Sequence, residues 1–164
     1  MLHPRILVAA TPEEAGALAA NEFEAVIAKK PAAVIGLATG STPLPLYREL
    51  IAREKAGKID FSKVRSANLD EYKGLAPDHE QSYRKFMQDN LLSHISIKPE
   101  NTIVPSGLAE DVGKMCQEYE EQIDNWGGVD CQLLGIGHDG HIAFNEPEDH
   151  FPTKTHEVQL TEMT

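Results

Sequence analysis

Apolar and polar positions along the chain change their period several times, and each change marks an element. Ile6 to Ala10 is a short apolar run with a β-branched centre and predicts a strand. Thr11-Pro12-Glu13-Glu14 reads as a helix start. Thr11 can cap, Pro12 suits the first helical position, and Glu14 completes a capping box. Ala15, Leu18, Ala19, Phe23, Val26 and Ile27 follow at helical spacing, and Lys29-Lys30 suits the helix C-terminus. Ala32 to Leu37 is apolar without polar alternation, the pattern of a parallel strand covered on both faces. Pro43 opens a second helix running to about Ala56, and Val64 to Asn68 is a third strand. Further on come a helix from about Ser82 to Leu92 and a short strand from Thr102 to Val104. The helix from about Ala109 to Trp126 carries the stripe Val112, Met115, Cys116, Tyr119, Ile123 and Trp126, and Gly127-Gly128 stops it. Asp130 to Gly135 predicts a strand, and Thr155 to Leu160 a final short one.

Strands alternating with helices predict βαβ units and a three-layer, mostly parallel α/β sheet with helices on both faces, a Rossmann-like arrangement. Short connections and the length of 164 residues predict one domain over residues 1–164. The formal net charge of −11 argues against nucleic acid and anionic membrane surfaces, whose recognition rests on Lys and Arg. It leaves room for a small anionic ligand held by a local nest of backbone N–H groups. Neither a signal peptide nor a run long enough to span a bilayer is visible, so the expected location is the cytoplasm. Cys116 and Cys131 form no C-x-x-C pair and read as reduced core thiols.

Three loops that follow predicted strands collect the candidate chemistry, where parallel sheets place their ligands. In Ala38-Thr39-Gly40-Ser41-Thr42-Pro43, glycine permits close backbone approach and two hydroxyls precede a helix N-terminus. That is a phosphate cradle in outline, although a turn with an N-cap would have the same sequence, and no Walker lysine is present. In Asn68-Leu69-Asp70-Glu71-Tyr72, adjacent carboxylates fit either a solvated turn or a general base at the mouth of a cleft. The third loop, Gly135 to Pro147, contains His138, Asp139, His141 and Glu146 among glycines and a proline. His141 is suited to proton exchange near neutral pH, oriented by Asp139 or Glu146. A metal held by His138, Asp139 and His141 is the competing reading, and its spacing fits no zinc motif, so no metal is expected.

Together the segments ATGSTP, NLDEYKGL with the later SYRKFM, and GIGHDGHIAFNEP resemble the glucosamine-6-phosphate deaminase family in order and separation. The similarity runs from near residue 5 to near residue 162. The related 6-phosphogluconolactonases are similar in fold and in G-x-G-x-D-G-H, but usually continue with Ser and Phe-Pro. Here the continuation is Phe144-Asn145-Glu146-Pro147.

The resemblance implies conversion of glucosamine 6-phosphate to fructose 6-phosphate and ammonia without a cofactor. It implies that His141 assists ring opening, held by Asp139 and Glu146. Asp70 would move the proton from C2 to C1, and Thr39, Gly40, Ser41 and Thr42 would hold the phosphate. Gly137 would let the backbone approach the sugar. A lactonase and a non-catalytic sugar-phosphate sensor are the alternatives; the second would not need all of Asp70, Asp139, His141 and Glu146. Members of the family continue beyond the position of Thr164, with further strands and with cations for the phosphate. Arg48, Lys73 and Lys154 do not stand at those positions. The expectation is therefore a domain lacking its C-terminal portion, with a half-built cradle and an exposed sheet edge that favours a homo-oligomer. His138, where many members carry Asn or Arg, reads as a solvated loop residue.

Overall fold

The computed structural model describes residues 4–149 and 152–160. Four parallel strands form one sheet: β1 (Val34–Leu37), β2 (Arg65–Asn68), β3 (Thr102–Ile103) and β4 (Cys131–Gln132), in the order β3-β2-β1-β4. Register pairs Leu37 with Asn68 and Gly36 with both Ala67 and Gln132, so the strand ends that carry the candidate loops are level. The chain steps outward from β1 to β3, then returns across the sheet to lay β4 against the other side of β1. That reversal is a topological switch point, and a crevice opens beyond the carboxyl ends of β1 and β4.

The helices are α1 (Pro12–Lys29), α2 (Leu44–Lys55), α3 (Tyr83–Asn90) and α4 (Val112–Asn125). Right-handed crossovers put α2 and α3 on one face and α4, on the returning connection, on the other. The main core lies on the first face, where Phe23, Ile27, Tyr47, Leu50 and Met87 pack on Ile35 and Leu37 of β1. Burying each large apolar side chain contributes roughly 1.5–3 kcal/mol. Gly16 lets α1 and α2 touch: a Cβ there would sit 2.7 Å from the Pro45 carbonyl carbon. On the second face α4 buries only Cys116 among its residues, while Tyr119 donates its hydroxyl hydrogen bond to the Asn68 carbonyl.

Sequence logic accounts for the element ends. Thr11 Oγ1 accepts from Glu14 N at 3.1 Å, and the Glu14 carboxylate reaches back to Ala10 N at 2.7 Å. The box therefore closes one residue earlier than the usual form. Two expectations fail. Residues 6–10 form no strand, and Ile6 and Val8 are 88% and 89% exposed. A β-rich run becomes a strand only beside a partner backbone, and no described segment pairs with it. Residues 155–160 likewise make no strand. Their contacts are side-chain ones: Thr155 N and Oγ1 donate to Glu120 at 2.6 and 2.7 Å, and Glu157 pairs with Lys73 at 2.7 Å. Both cysteines are free thiols, Cys116 buried and Cys131 half-buried. No helix among the described residues is long and apolar enough to cross a membrane.

Candidate active site

The crevice at the switch point is a cleft of about 920 Å³ whose walls include Thr39, Ser41, Thr42, Asp70, Tyr83, Gly137 and His141. All three candidate loops therefore meet at one place.

The loop after β1 turns at Gly40, whose φ of +104° lies where only glycine is unstrained. Tyr47, buried in α2, anchors the loop start by bonding both Ala38 N and the Ala38 carbonyl. The N-cap position of α2 is Pro43 and no side chain caps it, so the hydroxyls of Ser41 and Thr42 are not used for capping and stand exposed. The helix end itself offers little. Pro43 and Pro45 have no N–H, and Leu44 N is turned to the Ser41 carbonyl at 3.3 Å. Anion binding here falls to the loop amides and hydroxyls. No Lys or Arg lines the cleft among the described residues. Arg48 pairs with Glu13 and Lys73 with Glu157, and Lys154 is exposed.

The two carboxylates after β2 separate cleanly. Glu71 turns away from the cleft onto the first turn of α3. It accepts from Ser82 Oγ at 2.7 Å and from Tyr83 N and Arg84 N at 3.0 Å each. Its charge there meets the positive end of the helix. Asp70 faces the cleft, half-buried, and its carboxyl is pushed up to about 6, first by burial and then by the neighbouring Glu71 charge. A carboxyl with that value is a competent proton acceptor near neutral pH.

In the third loop, Asp139 Oδ1 accepts from His141 N at 3.1 Å and lies 2.7 Å from His141 Nδ1. Those bonds, the backbone one first, hold the Asp139 carboxyl below the ordinary range. The pairing places a proton on Nδ1 and leaves Nε2 to exchange protons with a ligand. Gly137 has a local reason: a Cβ there would lie 2.2 Å from the His141 ring, so the imidazole fills the space a side chain would take. Gly140 turns at φ +98°, and Ala143 at φ +55° is the one non-glycine residue with positive φ among the described residues. Such strain gathers at functional sites. Asp139, His141 and Glu146 bring one ligand atom each within 4.8 Å of one another, so a metal, were one held here, would take Glu146 and not His138. His138 is exposed.

Two features escaped the sequence reading. Tyr72, Tyr83 and Phe144 form an aromatic cluster with centroids 4.9, 5.1 and 5.6 Å apart, joining the loop after β2, the start of α3 and the loop after β4. The division of labour between Asp70 and Glu71 is also invisible in sequence, because it depends on where α3 begins.

A doubly wound α/β domain with a proton acceptor, an oriented histidine and an amide-and-hydroxyl loop around one crevice defines a class of small-molecule-binding α/β folds. Within it, the profile of the glucosamine-6-phosphate isomerases/6-phosphogluconolactonase family matches residues 8–159, and the chain belongs to that family. It is 52% identical over 160 residues to a glucosamine-6-phosphate deaminase of Thermoanaerobacter sp. (strain X514), covering 98% of this chain and 63% of that protein. It is 58% identical over 146 residues to the deaminase of Lachnoclostridium phytofermentans, covering 89% of this chain and 62% of that protein. The chain thus spans a little under two thirds of the curated relatives it matches. The solved structure of a monomeric glucosamine-6-phosphate deaminase superposes with TM-score 0.93 at 42% identity, over 98% of this chain and 66% of that one. The 6-phosphogluconolactonase of Thermotoga maritima superposes with TM-score 0.71 at 25% identity, over 85% of this chain and 62% of that one.

Proposed function

We propose that the protein is a glucosamine-6-phosphate deaminase of the cytoplasm, acting through one sugar-phosphate isomerase-type domain without a cofactor. The observation that carries this reading is the half-buried Asp70 facing the same cleft as a histidine tethered by Asp139. The identity of about half its residues with named deaminases supports it.

In this reading Thr39, Gly40, Ser41 and Thr42 receive the phosphate. His141, steadied by Asp139 and Glu146, moves a proton from the anomeric hydroxyl to the ring oxygen, which opens the pyranose to the C1 aldehyde. Gly137 leaves the imidazole room to do so. Asp70 then takes the C2 proton. The C–H electron pair forms the C1–C2 double bond of an enolamine, and the C1 oxygen takes up a proton. Asp70 returns its proton to C1, leaving an imine at C2. Water adds there and ammonia departs, giving the ketose. The step requires a base that is ionised yet poorly solvated, and a positioned proton carrier of this kind contributes roughly 10²–10⁴-fold.

The test is incubation of the purified chain with glucosamine 6-phosphate, with ammonia and fructose 6-phosphate measured together. Equal release of both, abolished in Asp70→Asn, is the expected result. Acid release from 6-phosphogluconolactone without ammonia release would replace the proposal with the lactonase reading. Tight binding of the amino sugar phosphate with no turnover of either would leave a sensor.

A further inference from the structure

The loop of Thr39 to Thr42 leaves the sheet at Ala38, and one side chain decides how. β1 pairs with β2 as far as Leu37 and with β4 as far as Gly36, so Ala38 is the first residue beyond both ladders. A half-buried N–H and C=O at that point need partners from elsewhere. Tyr47 of α2 supplies both. Ala38 N donates to Tyr47 Oη at 3.2 Å, and the same hydroxyl donates to the Ala38 carbonyl. The Tyr47 side chain is fully buried in the core, and burial raises its phenol above the ordinary range, so its one proton stays in place for the carbonyl. Tyr47 N donates to the Pro43 carbonyl at 3.0 Å, the bond that starts α2. Leu44 N, bonded to the Ser41 carbonyl at 3.3 Å, tightens the turn between. One residue thus holds the loop at both ends, Ala38 through its side chain and Pro43 through its backbone.

We propose that Tyr47 is the positioning residue of the anion cradle: by closing the loop from Ala38 to Pro43 before any ligand arrives, it sets the affinity for the substrate's phosphate without touching it. The proposal rests on the sugar-phosphate reading of the cleft and adds a residue to which that reading gives no part. Pro43 and Pro45 remove two donors from the helix end, so the amides of residues 39–42 and the hydroxyls of Ser41 and Thr42 supply most of the hydrogen bonds to an anion. Such donors converge on one point only where the backbone between them is fixed. A loop that has to be ordered on binding spends affinity on lost conformational freedom. The phosphate is remote from C1 and C2 and is held alike before and during the proton transfers, so an effect confined to the cradle enters KM and leaves kcat alone.

The experiment compares the parent chain with Tyr47→Phe, which keeps the buried ring and removes only the hydroxyl. Inorganic phosphate binding, followed by NMR titration, should weaken roughly 3–10-fold, and KM for glucosamine 6-phosphate should rise by about the same factor with kcat within about twofold. Leu50→Val trims the buried face of the same helix without touching the loop, and as the control for softened packing it should leave both quantities within about twofold. Parent affinity for phosphate in a folded Tyr47→Phe, or an equal loss in Leu50→Val, would overturn the proposal. Hydrogen exchange in the ligand-free parent needs no variant: the Ala38 amide, held by the phenol, should exchange at least about tenfold more slowly than in an unfolded chain. Exchange at the unfolded rate would overturn the proposal even if Tyr47→Phe does not fold. Phosphate binding and exchange as expected, with no turnover of glucosamine 6-phosphate in the parent, would support the cradle and count against the deaminase reading alone.

Discussion

Asp70 pits function against stability at a single residue. Its carboxyl is pushed up from the ordinary aspartate range to about 6, by burial first and Glu71 second. The folded state therefore holds this proton more tightly than the unfolded chain does. The favourable contribution is complete below about pH 4 and is lost as pH rises through about 6. Above that, an ionised half-buried carboxylate costs on the order of 1–3 kcal/mol. Asp70→Asn is expected to abolish turnover and yet to be more stable than the parent at pH 7.5 by that amount. The advantage should shrink when urea unfolding is repeated near pH 4.5, and a gap independent of pH would refute the assignment. The same ionisation is expected to make kcat/KM fall about tenfold per unit on the acid side of pH 6 in a pH–rate profile. For the neighbouring group, Asp139 already directs one oxygen to both nitrogens of His141 that face it. A hydrogen-bonded pair so engaged has no need of an ion. Dialysis against EDTA is expected to leave the rate within about twofold, and loss of activity restored by added zinc would show that the set of Asp139, His141 and Glu146 holds a metal.

At the scale of elements, the first turn of α3 links fold to chemistry. Glu71 accepts three hydrogen bonds from Ser82, Tyr83 and Arg84, and its charge also raises Asp70. Glu71→Ala should cost about 1–2 kcal/mol by uncapping the helix. Glu71→Gln retains an acceptor and should cost less, while both variants lower the Asp70 midpoint. Urea unfolding beside the carboxyl titration separates the two effects, and an unmoved midpoint in both would sink the electrostatic link. This region also marks the limit of what the sequence makes legible. The parallel strands were visible because β1 is apolar at every position, and α1 because Thr11, Pro12 and Glu14 spell its start. The residues of the three loops stood out because glycines and titratable side chains crowd after strands. Tyr83 did not, because an aromatic at the start of an amphipathic helix reads as ordinary core until the direction of its ring is known. Nor could the sequence say that Pro43 and Pro45 leave α2 poor in free N–H groups just where an anion would sit, since that depends on Leu44 bonding back to Ser41.

For the molecule as a whole, the runs that read as strands but did not become strands carry the consequence. Ile6, Leu7 and Val8 are 88%, 56% and 89% exposed, and Leu134 and Ile136 beyond β4 are 51% and 78% exposed. Arg5, just before the first group, pairs with Glu22 of α1 at 2.6 Å. Residues 6–8 therefore present an apolar segment with no strand partner among the described residues, and β4 is an edge strand of the sheet. Unpaired edges invite association, and burial of such side chains at about 25 cal/mol per Å² gives that association its driving force. A net charge of −11 opposes it, but salt screens this repulsion beyond about 10 Å, so self-association should strengthen as salt is raised. The 164-residue chain is expected to form dimers or larger species in sedimentation velocity runs at roughly 10–100 µM. Ile6→Ser combined with Val8→Ser removes apolar surface without changing charge or touching the cleft, and should weaken association by about tenfold or more while leaving turnover unchanged. A parent chain that sediments as a monomer throughout that range, at low and high salt alike, would show that neither residues 6–8 nor the edge of β4 is a contact between copies.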